Sequence, residues 1–229
     1  MPQAILFTDW DGTVTLQDSN DMLTDNLGMG HPARMVLNDK LIEGTLNFRD
    51  AFYDMLASVS DNGHSLDKCI GYLLEHVQLD PGFKETVVWC HENDIPVVVV
   101  SSGMDRVIRA LLKNLIEDEN LQNSIQIYSN SVETDGDEWR IIYKDHSSFG
   151  HDKHQSIEHA TAKAGDVPSG KRFYCGDGVS DVSAARSCDL LFAKSGKDLV
   201  NICRRDNINY IEFNSFQDIL AHIKKVVST

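Results

Sequence analysis

The sequence predicts an α/β fold: a doubly wound, mostly parallel sheet carrying a small inserted α-helical domain. Three observations lead there. From residue 81 to the C-terminus, strand-like and helix-like segments alternate, the pattern of βαβ units. The run Ile95-Pro96-Val97-Val98-Val99-Val100 is apolar throughout and mostly β-branched, as in strands buried on both faces beneath helices. Residues 18–80 instead place apolar side chains three and four residues apart with no strand signal, which marks helices.

The elements follow in order. Ala4-Ile5-Leu6-Phe7 is an apolar first strand that ends at Asp9. In the insert, Met22, Leu23 and Leu27 mark a helix with Asp18, Ser19 and Asn20 as caps and Gly28 and Gly30 as its stop. Phe48, Phe52, Met55 and Leu56 mark the next, capped by Thr45 or Asn47. Asp61-Asn62-Gly63 breaks the chain before a helix through Leu66, Ile70, Leu73, Leu74 and Val77. Pro81-Gly82 opens a helix to about residue 93; the Val-rich strand, a helix near 105–116 and a strand near 125–131 come after it. Residues 129–143 hold Asp135-Gly136-Asp137 between strand-like flanks and read as a β-hairpin. A helix near 153–164, a strand near 171–176 and a short helix from Asp181 follow. A strand at 190–192, a helix near 196–205, a strand at 210–213 and a helix from Phe216 complete the alternation. The expected division is a core of residues 1–16 and 81–229 and an insert of residues 17–80.

Composition narrows the function. The 229 residues include 21 Lys and Arg against 35 Asp and Glu, a formal net charge of −14. Such a surface repels phosphate backbones and anionic membranes, so neither nucleic acid nor membrane is an expected partner. The five cysteines form no C-x-x-C pair and read as small core residues in a reducing compartment. No signal-peptide pattern is present, and no apolar stretch approaches the roughly 20 residues of a membrane span. A cytoplasmic monomer or homodimer is expected.

Four motifs fall at successive strand ends. The first is Asp9-Trp10-Asp11-Gly12-Thr13. Two carboxylates one residue apart repel each other and need a cation or a shared proton, although an Asp-Gly turn closing a hairpin uses the same letters. The Thr13 hydroxyl is available to bond a carboxylate or an anion. The second, Ser101-Ser102-Gly103-Met104-Asp105, combines hydroxyls, a glycine and helix N-terminal amides into an anion cradle; ordinary helix capping is the alternative. The third is Lys153, just before a helix, where a cation is unfavourable unless an anion is near. The histidines at 146, 151 and 154 match no standard zinc spacing. The fourth is Gly176-Asp177-Gly178, with Asp181 four residues after Asp177 and opening a helix. C-terminal strand ends are where open α/β sheets bind ligands, so the four converge on one edge. Hard carboxylate oxygens suit Mg²⁺ together with a substrate phosphate.

These motifs, spread over essentially the whole chain, resemble those of the haloacid dehalogenase superfamily. The similarity is to its phosphoserine-phosphatase-like branch, with a helical cap after the first motif on a Rossmann-like core. Fungal polyol-phosphate phosphatases are similar, as are bacterial enolase-phosphatases of methionine salvage around residues 101–105. The resemblance implies a phosphatase acting on a small phosphorylated metabolite: a polyol or sugar phosphate, or a phosphoserine-like ester. It implies Asp9 as nucleophile forming an aspartyl-phosphate and Asp11 as general acid and base. Mg²⁺ would be held by Asp9, the Asp11 carbonyl and Asp177, with Asp181 behind them or ligating through water. Ser101 and the amides of Ser102 and Gly103 would cradle the phosphoryl group, and Lys153 would neutralise charge. Ser102 departs from the pattern, because many relatives carry glycine there. Asp18, Asn20, Arg34, Arg49 and Arg106 are candidates to meet the leaving group. The alternatives are a phosphomutase, which needs a second basic phosphate site, and a non-catalytic binding protein, which has no need of every carboxylate.

Overall fold

The computed structural model describes residues 2–165 and 171–228. The sheet has seven strands in the order β4-β3-β2-β1-β5-β6-β7. These are β1 (Ile5–Thr8), β2 (Val97–Met104), β3 (Ile125–Asp135), β4 (Glu138–Ile142), β5 (Arg172–Gly176), β6 (Leu190–Lys194) and β7 (Ile211–Phe213). All pairings are parallel except that of β4, which returns along β3 as a hairpin edge. Ten helices accompany them among the described residues: α1 (Ser19–Asn26), α2 (His31–Ile42), α3 (Phe48–Asp61), α4 (Leu66–His76), α5 (Phe83–Glu92), α6 (Asp105–Leu115), α7 (Glu119–Ser124), α8 (Lys153–Ala164), α9 (Asp198–Asp206) and α10 (Phe216–Val227).

Alternation along the strands builds two apolar layers, because successive side chains point to opposite faces. Leu6, Val97 and Val99 pack with Phe83, Val87, Leu111, Phe216 and Ile219 on one side. Ile5, Phe7, Val98 and Val100 pack with Ile157, Ala160, Leu199 and Cys203 on the other. Each such burial contributes about 1.5–3 kcal/mol, so β1 and β2 are fixed at the centre and their C-terminal ends hold the site.

Four parts of the fold differ from the sequence reading. Helix α2 was not expected; none of its residues is buried, so it lacks an apolar period to reveal it. Short α7 also escapes the pattern. Instead of a helix opening at Asp181, two 3₁₀ turns span Val179–Asp181 and Ala184–Arg186, and Asp181 closes the first with its side chain buried. Strand β2 also runs past the valines to Met104, across an irregularity in its pairing with β3 between Val100 and Met104. The cradle residues therefore belong to the strand end.

Candidate active site

Every motif residue stands at the C-terminal edge of the sheet. Asp9 directly follows β1, and its amide donates to Cys175 O of β5 at 2.8 Å. Lys153, the first residue of α8, is fully buried. Its Nζ donates to Asp9 Oδ1 at 2.7 Å and to Asp181 Oδ1 at 2.6 Å. Two carboxylates thus supply the anion that a cation at a helix start requires. Burial would lower the lysine's pKa, but Asp181 and Asp9 outweigh it and hold the ammonium charged well above its usual range.

Asp181 is saturated. Oδ1 also accepts from the Tyr174 hydroxyl at 2.5 Å, and Oδ2 accepts from the Asp177 and Gly178 amides, each at 2.9 Å. Tyr174 carries no motif signal, because it stands within apolar strand β5 and its hydroxyl meets Asp181 only in the fold. Gly12 sits at φ +75°, and a Cβ there would collide with Asp177 Oδ2. The first motif therefore needs glycine both for its left-handed turn and for the close approach of Asp177.

Asp11 is turned toward the helical insert. Its Oδ1 accepts from the Ser19 amide at 2.8 Å and the Ser19 hydroxyl at 2.6 Å, and Oδ2 accepts from Asn20 Nδ2 at 2.9 Å. Asp18, whose side chain accepts from the Asn20 and Asp21 amides, starts α1 in the right place to present these donors. The Asn20 side chain is therefore committed to Asp11 rather than to a leaving group. Ser19 had been read only as a helix cap.

Crowded anions and burial set the protonation. Burial first, then Asp181, raise Asp9 to about 7 against the pull of Lys153. Burial, then Asp9, Asp181 and Asp18, raise Asp177 to about 8. Asp11 is pushed well above the carboxylate range by burial and Asp18, against the Ser19 hydrogen bonds. One oxygen each of Asp9, Asp177 and Asp181 lie within 4.8 Å of one another. Three carboxylates face one buried ammonium, so the donor set and its unbalanced charge fit a hard divalent cation such as Mg²⁺. The Asp11 carboxylate stands apart from that trio.

The cradle residues are buried beside it. Ser101 Oγ accepts from the Gly103 amide at 3.0 Å. The hydroxyls of Thr13 and Ser102 are buried with no hydrogen-bond partner among the described residues, an arrangement that costs about 1–3 kcal/mol each unless a ligand completes it. Arg34 bonds Asp25 through Nε at 2.6 Å and Asp21 through Nη1 at 2.7 Å. Arg49 donates to Asp145 O at 2.8 Å and lies over the Tyr143 ring, and Arg106 lies 3.5 Å from Asp67. Lys197, which the sequence reading passed over, comes within 3.8 Å of Asp177 Oδ2. His151 bonds Ser101 O and Ser156 Oγ and holds no place in an ion cluster. A cavity of about 910 Å³ between α3 and the β3–β4 hairpin contains none of these groups.

The family model of the haloacid dehalogenase-like hydrolases matches residues 6–186. The chain is 50% identical to polyol phosphate phosphatase PYP1 of Saccharomyces cerevisiae, over 100% of this chain and 95% of that protein. It is 45% identical to Pdp3-interacting factor 1 of Schizosaccharomyces pombe, over 98% and 96% of the two chains. A solved structure of a phospho-aspartyl intermediate analogue of phosphoserine phosphatase superposes with a TM-score of 0.71 at 18% identity. It covers 97% of this chain and 100% of that one.

Proposed function

The chain belongs to the haloacid dehalogenase-like hydrolases and is a phosphatase, and we propose that it is a Mg²⁺-dependent phosphomonoesterase working through an aspartyl-phosphate on Asp9. The observation that carries this reading is the buried pair of Asp9 and Lys153 at 2.7 Å, flanked by Asp177, Asp181 and the protonatable Asp11. A carboxylate so held is aimed by its ammonium partner, which also opposes the burial that favours its neutral form.

In the first step an Asp9 carboxylate oxygen attacks phosphorus, and the bond from phosphorus to the leaving oxygen breaks in line. Asp11, whose burial favours its protonated form, gives its proton to the departing alkoxide. In the second step Asp11 takes a proton from water as that water attacks the phosphoryl group, freeing Asp9 and inorganic phosphate. Lys153 offsets the charge on Asp9 and the transferred oxygens throughout, with no reorganisation needed at the moment of reaction. Ser101 and the Ser102 amide receive the phosphoryl oxygens, with the Gly103 amide held on Ser101 Oγ. Asp9 and Asp177 would hold Mg²⁺, which supplies Lewis-acid neutralisation of the phosphate, while Asp181 anchors Lys153 and the Asp177 turn.

The substrate class is a polyol or sugar phosphate. The yeast relative is named for polyol phosphates. A phosphoserine-like leaving group carries a carboxylate and calls for a free cation, yet Arg34 and Arg49 of the insert are already engaged. Helices α1–α4, as a cap spanning residues 17–80, close over the reaction and set that choice.

Phosphate release from ribitol, sorbitol, glycerol, serine and p-nitrophenyl phosphates, with Mg²⁺ or EDTA, tests the reading. Wild-type turnover that vanishes with EDTA and with Asp9→Asn is expected, with a polyol phosphate ranked first. Turnover retained by Asp9→Asn would exclude the covalent route, and serine phosphate ranked first would exclude the substrate class.

A further inference from the structure

The strand end that carries the cradle has both of its carbonyls taken by buried side chains. Ser101 O lies 2.7 Å from His151 Nδ1, and His151 Nε2 lies 2.7 Å from Ser156 Oγ. A carbonyl only accepts, so Nδ1 carries the hydrogen and Nε2 accepts from the Ser156 hydroxyl; the imidazole is neutral. Ser102 O accepts from Asn130 Nδ2 at 2.7 Å, and Asn130 Oδ1 accepts in turn from the Lys144 amide at 2.9 Å. Both His151 and Asn130 are fully buried. They come from different elements, His151 from the loop before α8 and Asn130 from β3, and grip consecutive peptide units from outside the site.

We propose that His151 and Asn130 are positioning residues: they aim the Ser102 N–H at the phosphoryl oxygens and hold the Gly103 N–H on Ser101 Oγ, which leaves that hydroxyl's hydrogen to donate to those oxygens. The inference rests on the phosphatase reading above. A trans peptide is planar with its C=O and N–H opposed. Holding Ser101 O on His151 therefore fixes the Ser102 N–H in the opposite direction, and holding Ser102 O toward β3 turns the Gly103 N–H toward β1. That second amide does lie on the site side: it meets Ser101 Oγ at 3.0 Å, and a Cβ on Gly103 would stand 3.0 Å from Asp11 Oδ2. Donors aimed before the reaction stabilise developing charge without reorganising during it. His151 has a second connection of the same kind. It precedes Lys153 by two residues, so one side chain ties the cradle to the start of the helix that delivers the ammonium. Burial keeps that imidazole uncharged by lowering its pKa to about 4.

The test uses the full-length protein with Mg²⁺. Orthovanadate, an oxyanion that fills the phosphoryl position, is titrated by calorimetry, where stoichiometry counts competent sites and affinity is read on those sites alone. His151→Phe and Asn130→Leu are expected to weaken vanadate about tenfold and lower kcat about 10- to 100-fold, the scale of a misdirected oxyanion donor. KM and the affinity for Mg²⁺ alone should each move less than about twofold, since neither residue touches the carboxylate trio. His151→Asn keeps an N–H near the Nδ1 position and should recover kcat to within about threefold of wild type. If His151→Phe yields no soluble protein, His151→Gln supplies the same comparison with its amide displaced from Ser101 O. Unchanged vanadate affinity on competent sites, or equal losses of Mg²⁺ and vanadate binding, would overturn the inference. Wild-type protein that neither hydrolyses a phosphomonoester nor binds vanadate would overturn the phosphatase reading itself.

Discussion

Asp11 is a carboxyl with both oxygens occupied, and its donors come from the first turn of a helix in the insert. These bonds favour the charged form while burial favours the neutral one, an opposition that suits the acid–base role proposed for it. Asn20→Ala removes the contact to Oδ2. It is expected to lower kcat about tenfold with little change in KM, at a stability cost of about 1 kcal/mol. Steady-state kinetics beside a urea melt checks this, and an unchanged kcat would remove Asn20 from the machinery. His151 makes a prediction of its own. The unfolded chain takes up the imidazole proton near 6.5, the folded one only near 4. The unfolded state thus binds more protons within that window, and stability falls as pH falls through it. The contribution lost between pH 7 and pH 4 is about 3 kcal/mol. His151→Asn should lack that share of the acid sensitivity, so the gap between the two proteins' urea midpoints at pH 7, 5.5 and 4 measures it.

The helical insert is moored to the β3–β4 hairpin and the loop that follows it. Tyr143 Oη donates to Arg49 O at 2.5 Å, the Arg49 amide donates to Ser148 O at 2.8 Å, and Trp139 Nε1 donates to His64 O at 2.8 Å. The Arg49 side chain adds to this mooring through Asp145 O and the Tyr143 ring. Arg49→Ala is therefore expected to cost about 1–2 kcal/mol and leave the rank order of substrates intact. A reordered phosphate-release panel would return Arg49 to the leaving group. Elements that bury an apolar face were legible beforehand, because their periods are written in residue spacing: the valines of β2, the stripes of α3 and α4, the Asp135-Gly136-Asp137 hairpin. Helix α2 was not, since none of its residues is fully buried and it is held in part by Arg34 bonding α1. The motif carboxylates were legible because they follow strand ends in short strings, whereas Lys153 opens α8 beyond the loop that follows antiparallel β4, and only its place at a helix start singled it out. Asn130 and His151 were not, because their partners lie 28 and 50 residues away along the chain, and neither has a local pattern. Tyr174 looked like one more apolar strand residue until its hydroxyl was placed on Asp181.

Over the whole molecule, 35 acidic residues against 21 basic ones make a field that opposes its own dianionic substrate. Positive charge is supplied locally by buried Lys153 and by Lys197 beside Asp177. No helix among the described residues is long and apolar enough to cross a membrane. Screening shortens the field's reach from about 30 Å at 0.01 M salt to about 8 Å at 0.15 M. Over that range kcat/KM for a polyol phosphate should rise about two- to fivefold, provided Mg²⁺ is kept saturating. A fall with salt would mean that the entrance itself attracts the anion. The same molecule has one layer that the core does not secure. Helix α2 lies against α1 and α3 with no fully buried side chain, anchored by Arg34 on Asp21 and Asp25, by His31 on Asp25 and by half-buried Leu37. Local unfolding of the insert is therefore expected to begin there, and limited proteolysis followed by mass spectrometry checks it. A protease searching this surface makes its first cut there. The severed ends stay attached through α1 and α3, and the strands bearing the carboxylates are untouched. Such a point is where an epitope or a fluorescent label can be spliced in without reaching the sheet edge.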